Sequence, residues 1–140
     1  MTIESHYPGD DYAIVRYSES RPPRTGDVWV GAGRPNKNVT SSAPDPLVGF
    51  TVSRSGATTG VSNGVIQAIN HAVQYKDENI VSGMVRTTAC AEPGDSGGPF
   101  CLGSWAVGLL SGGSDDCTSG GLTFFQPLKE VLAGYGVTVY

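Results

Sequence analysis

The sequence predicts an all-β domain, a single antiparallel barrel of six or seven strands followed by one C-terminal helix. Three observations predict it. Glycine (20 residues) and proline (9) make up about a fifth of the 140-residue chain, above the roughly 12% of average proteins, which favours short strands joined by tight turns. Short β-branched and aromatic runs recur between turn residues along most of the sequence. Helical periodicity appears once, at the end, and nothing alternates strand with helix.

In chain order, Asp11–Tyr17 (DYAIVRY), with its β-branched and aromatic residues, reads as a strand. Arg21–Pro46 is rich in Pro, Gly, Ser and Asn, and reads as loop around a short strand at Val28–Val30. Within it, Asn38-Val39-Thr40 fits a glycosylation sequon, though a turn asparagine is the simpler reading. Leu47–Ser53, Gly60–Ile69, Asn79–Thr87, Pro99–Leu102, Ser104–Leu110 and Leu122–Gln126 are further strands bounded by turn residues, which places His71 in a loop. Leu128, Val131, Leu132 and Tyr135 fall on one helical face, with Pro127 suited to the first helical position and Gly136 to the end. Trp105, Phe124 and Phe125 are expected to pack the core, and Trp29 to be core or a loop anchor.

Composition narrows the function. Only 16% of residues are charged and the net charge is −4, so the chain lacks the clustered Lys and Arg that bind a phosphate backbone, and no nucleic-acid partner is expected. No apolar run approaches the roughly 18 residues of a membrane helix, and no membrane partner is expected. The three cysteines form no CxxC pair, and His6 and His71 lie far from them in sequence, so neither a metal nor another cofactor is expected. Met1–Tyr7 has no basic region followed by an apolar stretch, so no signal peptide is visible.

The chemistry is concentrated in Cys90–Pro99, CAEPGDSGGP. Ser96 lies among Gly94, Gly97 and Gly98, residues that admit unusual backbone angles and leave room for a ligand. In such a turn the N–H groups of Gly94 and Ser96 can bind a developing oxyanion. A serine hydroxyl needs a base to become a nucleophile. Asp95 is beside it in sequence, but neighbours in an extended turn point apart, so Asp95 reads as a buried structural anion that needs a cation or several hydrogen bonds.

GDSGGP resembles the active-site motif of the chymotrypsin-like serine proteases. The wider match resembles their bacterial streptogrisin branch, related to α-lytic protease. It runs through DYAIVRY (11–17), RSGATTG (54–60), GMVRTTACAEPGDSGGP (83–99) and GLLSGGSDDCTSGGLTFFQPLKEVLAGYGVTVY (108–140). The resemblance implies the C-terminal Greek-key barrel of that fold and a secreted, monomeric serine endopeptidase acting on peptides or proteins. It implies Ser96 as nucleophile, Gly94 and Ser96 as oxyanion hole, and Asp11 as the acid that orients a histidine. Ser111-Gly112-Gly113 resembles the segment that pairs with substrate backbone. Arg54 resembles the arginine that neutralises the aspartate beside the nucleophile, here Asp95. Cys90–Cys117 matches a family disulfide, which would stabilise by roughly 3–4 kcal/mol. Cys101 is then a packed thiol or has lost its partner.

Specificity is expected from Ala91–Pro93 (Ala91, Glu92, Pro93), Ser111–Gly113 and about Gly120–Thr123. Relatives that prefer Arg or Lys carry an aspartate where Thr88-Ala89 stands, and glutamate-preferring relatives place a histidine near Ser111, which Leu110 and Gly113 are not. The neutral slot suits a large apolar residue. Asp115 and Asp116 are expected to be solvated.

The match breaks at the histidine. The family order is His, Asp, Ser, and only ten residues precede Asp11. Among them His6, beside Tyr7-Pro8, reads as an exposed turn residue. The chain is therefore expected to be truncated, with 1–20 a remnant of the N-terminal barrel and inter-barrel strand, 21–126 the C-terminal barrel and 127–140 the helix and tail. Without the base it is expected to be inactive alone. The alternative is a non-catalytic peptide-binding module that keeps the same surfaces.

Overall fold

The computed structural model describes residues 2–16, 25–42, 45–114 and 116–139. The strands are β1 (Thr2–His6), β2 (Tyr12–Arg16), β3 (Asp27–Val28), β4 (Lys37–Asn38), β5 (Ser41–Ser42), β6 (Thr51–Gly56), β7 (Gly60–Gln74), β8 (Ile80–Thr87), β9 (Pro99–Leu102), β10 (Trp105–Gly113) and β11 (Thr123–Pro127), and the helix is α1 (Leu128–Tyr135). The main sheet runs β11-β8-β7-β6-β9-β10-β5, and β10 also pairs with β11. That second pairing closes β6–β11 into a six-stranded barrel, with β5 added in parallel at the start of β10. β9 returns beside β6, the first strand of the β6-β7-β8 meander, which is Greek-key order.

The barrel closes over Val52, Ile66, Val85, Ala89, Ala91, Phe100, Val107, Leu110 and Phe125, each under a tenth exposed. Fully burying a side chain of this kind stabilises by about 1.5–3 kcal/mol. Phe100 and Phe125 stack at 4.6 Å between ring centroids. Gly108 makes room for them, because a Cβ there would lie 2.3 Å from the Phe125 ring.

Helix α1 begins after Pro127, which sits at the cap rather than inside the first turn, and ends on Gly136 in the left-handed region (φ +63°) with its N–H returned to Ala133 and Leu132. The antiparallel hairpin β1–β2 stands outside the barrel and leans on this helix. His6 stacks on Tyr12 at 4.8 Å and meets the edge of Tyr135 at 5.3 Å, and the Tyr135 hydroxyl donates to the Glu4 carbonyl at 2.7 Å. The linker to the hairpin crosses β8, with Gly9 N–H donating to Ile80 O and Ser82 N–H to Gly9 O.

Several sequence expectations are corrected. His71 is inside β7, not in a loop; the strand runs on to Gln74 through irregular pairing with β8, including Asn70 at positive φ. His6 ends strand β1 rather than lying in a turn. Leu47–Phe50 turn before β6 begins at Thr51. Asn38 lies in β4, with its side chain donating to Asp27, rather than in a turn. Trp105 is 44% exposed at the start of β10 rather than packed in the core, and Phe124 faces away from the core to stack on His71. Tyr17, the last residue of the first predicted strand, lies outside the described residues.

Candidate active site

The turn between Cys90 and Pro99 is fixed from below by a buried ion pair. Arg54, on β6, approaches Asp95 at 3.3 Å, and neither side chain is exposed to solvent. Arg54 also donates to the Cys90 carbonyl, the Gly60 carbonyl and the Thr59 hydroxyl. Asp95 accepts from the N–H groups of Thr58, Thr59 and Glu92 and from the Thr59 hydroxyl. Burial pushes its carboxyl pKa up, but these hydrogen bonds outweigh burial and hold it at about 2. Burial pulls the Arg54 pKa down while the charge of Asp95 pulls it up. Gly56 is required here, since a Cβ would sit 2.2 Å from Asp95 Oδ1. The disulfide Cys90–Cys117 ties the front of the turn to the 116–123 loop, with Cα atoms 5.0 Å apart.

Above this anchor Ser96 is exposed at the edge of a cleft of about 630 Å³ whose walls include Asp27, Trp29, Gly56 and Gly94–Pro99. Gly94 takes φ +99° and Gly97 φ +80°, angles that favour glycine. The N–H groups around the serine divide into two sets. Those of Asp95, Gly97 and Gly98 are taken by the carbonyls of Glu92, Leu110 and Asp95. Among the described residues, those of Gly94 and Ser96 make no hydrogen bond. An exposed hydroxyl beside two uncommitted amides is what stabilisation of an acyl-transfer oxyanion requires.

Asp11, in the linker between β1 and β2, meets Ser111, whose neighbour Leu110 pairs with Gly97 and Gly98 beside Ser96. Ser111 Oγ donates to Asp11 Oδ2 at 2.5 Å and also contacts the Tyr75 hydroxyl at 2.5 Å. The Asp11 N–H donates to Gln126 Oε1 at 3.0 Å. Tyr75 and Gln126 were not singled out from sequence, and no local pattern marks them. The Tyr75 ring lies over Gly112, where a Cβ would come within 2.8 Å of it.

Neither histidine stands with these groups. His6 is in the aromatic cluster with Tyr12 and Tyr135, and His71 stacks on Phe124 at 5.3 Å. Ala91 is buried, Glu92 half-buried and Pro93 exposed; Ser111, Gly112 and Gly113 are half-buried at the end of β10. Thr123 is buried and its hydroxyl pairs with that of Thr87 at 2.9 Å. Gly121 backs directly on Thr88–Cys90, where a Cβ would meet the Thr88 carbonyl at 2.0 Å. Asp116 accepts from Thr118 and Ser119 within its own loop, hydrogen bonds that lower its pKa. Asp115 lies outside the described residues. Cys101 is a buried thiol on β9, its pKa raised by burial. Among the described residues no three metal-ligating side chains gather, and no helix is long and apolar enough to cross a membrane.

A Greek-key barrel carrying an exposed serine over a buried Arg–Asp pair defines a protein of the chymotrypsin-fold class. The Trypsin family model matches residues 2–133, and the chain belongs to that family of serine endopeptidases. It is 45% identical over 136 residues to Streptogrisin-D and 44% identical over 133 residues to Streptogrisin-A, both of Streptomyces griseus, covering 96% and 95% of this chain. It spans only 34% and 44% of the length of those two relatives. Among solved structures it superposes on Cellulomonas bogoriensis chymotrypsin with a TM-score of 0.90 at 42% identity, over 98% of this chain and 73% of that one. The same TM-score and identity relate it to a glutamic acid specific serine protease that uses a histidine triad in substrate binding, over 99% of this chain and 72% of that one.

Proposed function

We propose that this chain is the nucleophile- and acid-bearing part of a secreted serine endopeptidase. Ser96 attacks the scissile carbonyl, the N–H groups of Gly94 and Ser96 hold the oxyanion, and Asp11 orients the general base. That base is an imidazole supplied by polypeptide outside this sequence, because both histidines here are engaged in aromatic stacks. The observation that carries the reading is the exposed Ser96 flanked by two uncommitted amides while the neighbouring amides are all taken. A histidine-bearing N-terminal barrel docked on this chain would complete the Ser-His-Asp set. Without it, removal of the base leaves only the residual rate that binding and the oxyanion donors supply.

The substrate is a peptide or protein whose backbone pairs with Ser111–Gly113 and whose P1 side chain is large and apolar. This P1 preference is supported by the neutral Thr88-Ala89 pair, which packs against Gly121 and brings no carboxylate to that segment. His6 and His71, the two histidines of this sequence, each sit in a separate aromatic stack rather than together, unlike a histidine triad such as that of the glutamic acid specific relative.

The test is to join this chain to a histidine-bearing N-terminal barrel and follow chromogenic peptides ending in Phe, Arg or Glu. A burst of released chromophore with the Phe peptide, abolished in Ser96→Ala, supports the reading. Faster cleavage after Arg or Glu would overturn the specificity. Tight peptide binding with no burst would favour a non-catalytic binding module.

A further inference from the structure

Asp11 is held at two separate points. Ser111 grips its carboxylate, while its main chain is gripped from the opposite end of the sequence. The Asp11 N–H donates to Gln126 Oε1 at 3.0 Å, and Gln126 Nε2 donates to Glu130 Oε2. Gln126 is 0% exposed on β11, and Glu130 follows in the first turn of α1.

A carboxamide presents an acceptor on one side and a donor on the other, with nearly the same shape in either orientation. An ionised carboxylate can only accept. Glu130 therefore selects the orientation that turns the Gln126 NH2 toward the helix and leaves the oxygen facing Asp11. In the reverse orientation two donors would meet at the Asp11 N–H, and an unsatisfied buried donor is costly. Glu130 has no other evident task. Among the described residues no cation pairs with it, and burial and the nearby charge of Asp10 raise its pKa, so the site does not favour a carboxylate for its own sake.

We propose that Gln126 and Glu130 are positioning residues, which together aim the backbone at Asp11 and so set the direction of its carboxylate. This rests on the reading of Asp11 as the orienting acid. The pair sits where the barrel's last strand passes into the C-terminal helix, so the helix docks the hairpin arm and registers the acid in one arrangement.

The experiment uses the complete protease with this chain as its C-terminal part, and compares Glu130→Ala, Glu130→Gln and Asp11→Asn. Hydrogen exchange at the Asp11 amide is read by NMR, and kcat and KM with the Phe peptide. Glu130→Ala is expected to speed exchange at Asp11 about tenfold and to lower kcat about tenfold with KM within twofold, the pattern of lost orientation rather than lost binding. Amides of β11 should keep their protection. Glu130→Gln, which can still accept from Gln126 but no longer obliges its orientation, should fall between. Unchanged exchange at Asp11 in Glu130→Ala would overturn the proposal. So would faster exchange with full kcat, if Asp11→Asn collapses activity and thereby leaves the role of Asp11 standing. Full activity in Asp11→Asn would instead remove the reading of the acid, and the positioning role with it.

Discussion

The serine and the acid are held by different kinds of structure. The Ser96 turn rests on a network internal to the barrel, in which Arg54 and Asp95 are both fully buried and Asp95 alone accepts four hydrogen bonds from Thr58, Thr59 and Glu92. Asp11 rests on single contacts from distant elements, Ser111 on β10 and Gln126 on β11, and its hairpin is pinned by Tyr135 and the aromatic cluster on α1. The first arrangement is over-determined, so losing one contact leaves the rest in place. The second is assembled by tertiary docking, and each contact carries a large share of the geometry. The difference suggests that the proposed nucleophile is preformed by the barrel, while the proposed orienting acid depends on how the arm is seated.

The comparison can be broken most severely at Arg54. Arg54→Met would leave Asp95 buried without its cation, and should destabilise the barrel by about 3–5 kcal/mol in chemical denaturation. A loss below about 1 kcal/mol would mean that hydrogen bonds alone hold the turn. Next comes the disulfide. Replacing Cys90 and Cys117 together by serine should cost roughly 3–4 kcal/mol on chain-entropy grounds, read in the same assay.

Acid separates the two regions by sign. The Asp95 carboxyl is held at about 2 against an ordinary 3.8, so its contribution is present above about pH 4 and is lost as pH falls toward 2, a change of about 2 kcal/mol. Glu130 is displaced the other way, raised by burial and by Asp10. Its contribution is full below its ordinary range and is lost as pH rises through the raised value. Denaturation between pH 2 and 5 should therefore show the barrel gaining stability with pH, and Asp95→Asn should flatten that rise. A wild-type curve already flat over this range would contradict the account of the turn. The smallest effect belongs to the arm. Tyr135→Phe removes one hydrogen bond to Glu4, worth about 1 kcal/mol, and should speed amide exchange in β1 and β2 without touching β6–β11.

What was legible in the sequence follows the same division. The glycine-rich turn around Ser96 could be read because its backbone demands are local, and Arg54 and the cysteine pair because they lie in blocks that resemble the streptogrisins. The barrel strands could be read as short runs bounded by turn residues, and β9 has the predicted bounds. Hidden features were those decided by contacts far along the chain. Gln126 meets Asp11 across 115 residues and Tyr75 meets Ser111 across 36; Gln126 looks like any residue of strand β11 and Tyr75, just past the end of β7, like any loop residue. His71 falls just past the predicted strand Gly60–Ile69, yet β7 absorbs Asn70, at positive φ, as an irregularity and continues to Gln74. β1 was missed because its partner β2, rather than its own composition, makes it a strand.

The most direct test of the account is the structure of the complete protease carrying a peptidyl phosphonate that ends in Phe. The account predicts a covalent bond to Ser96 Oγ, with one phosphonyl oxygen within about 3 Å of the amide nitrogens of both Gly94 and Ser96. An adduct whose oxygen points away from those two amides, or no adduct at Ser96 at all, would contradict it.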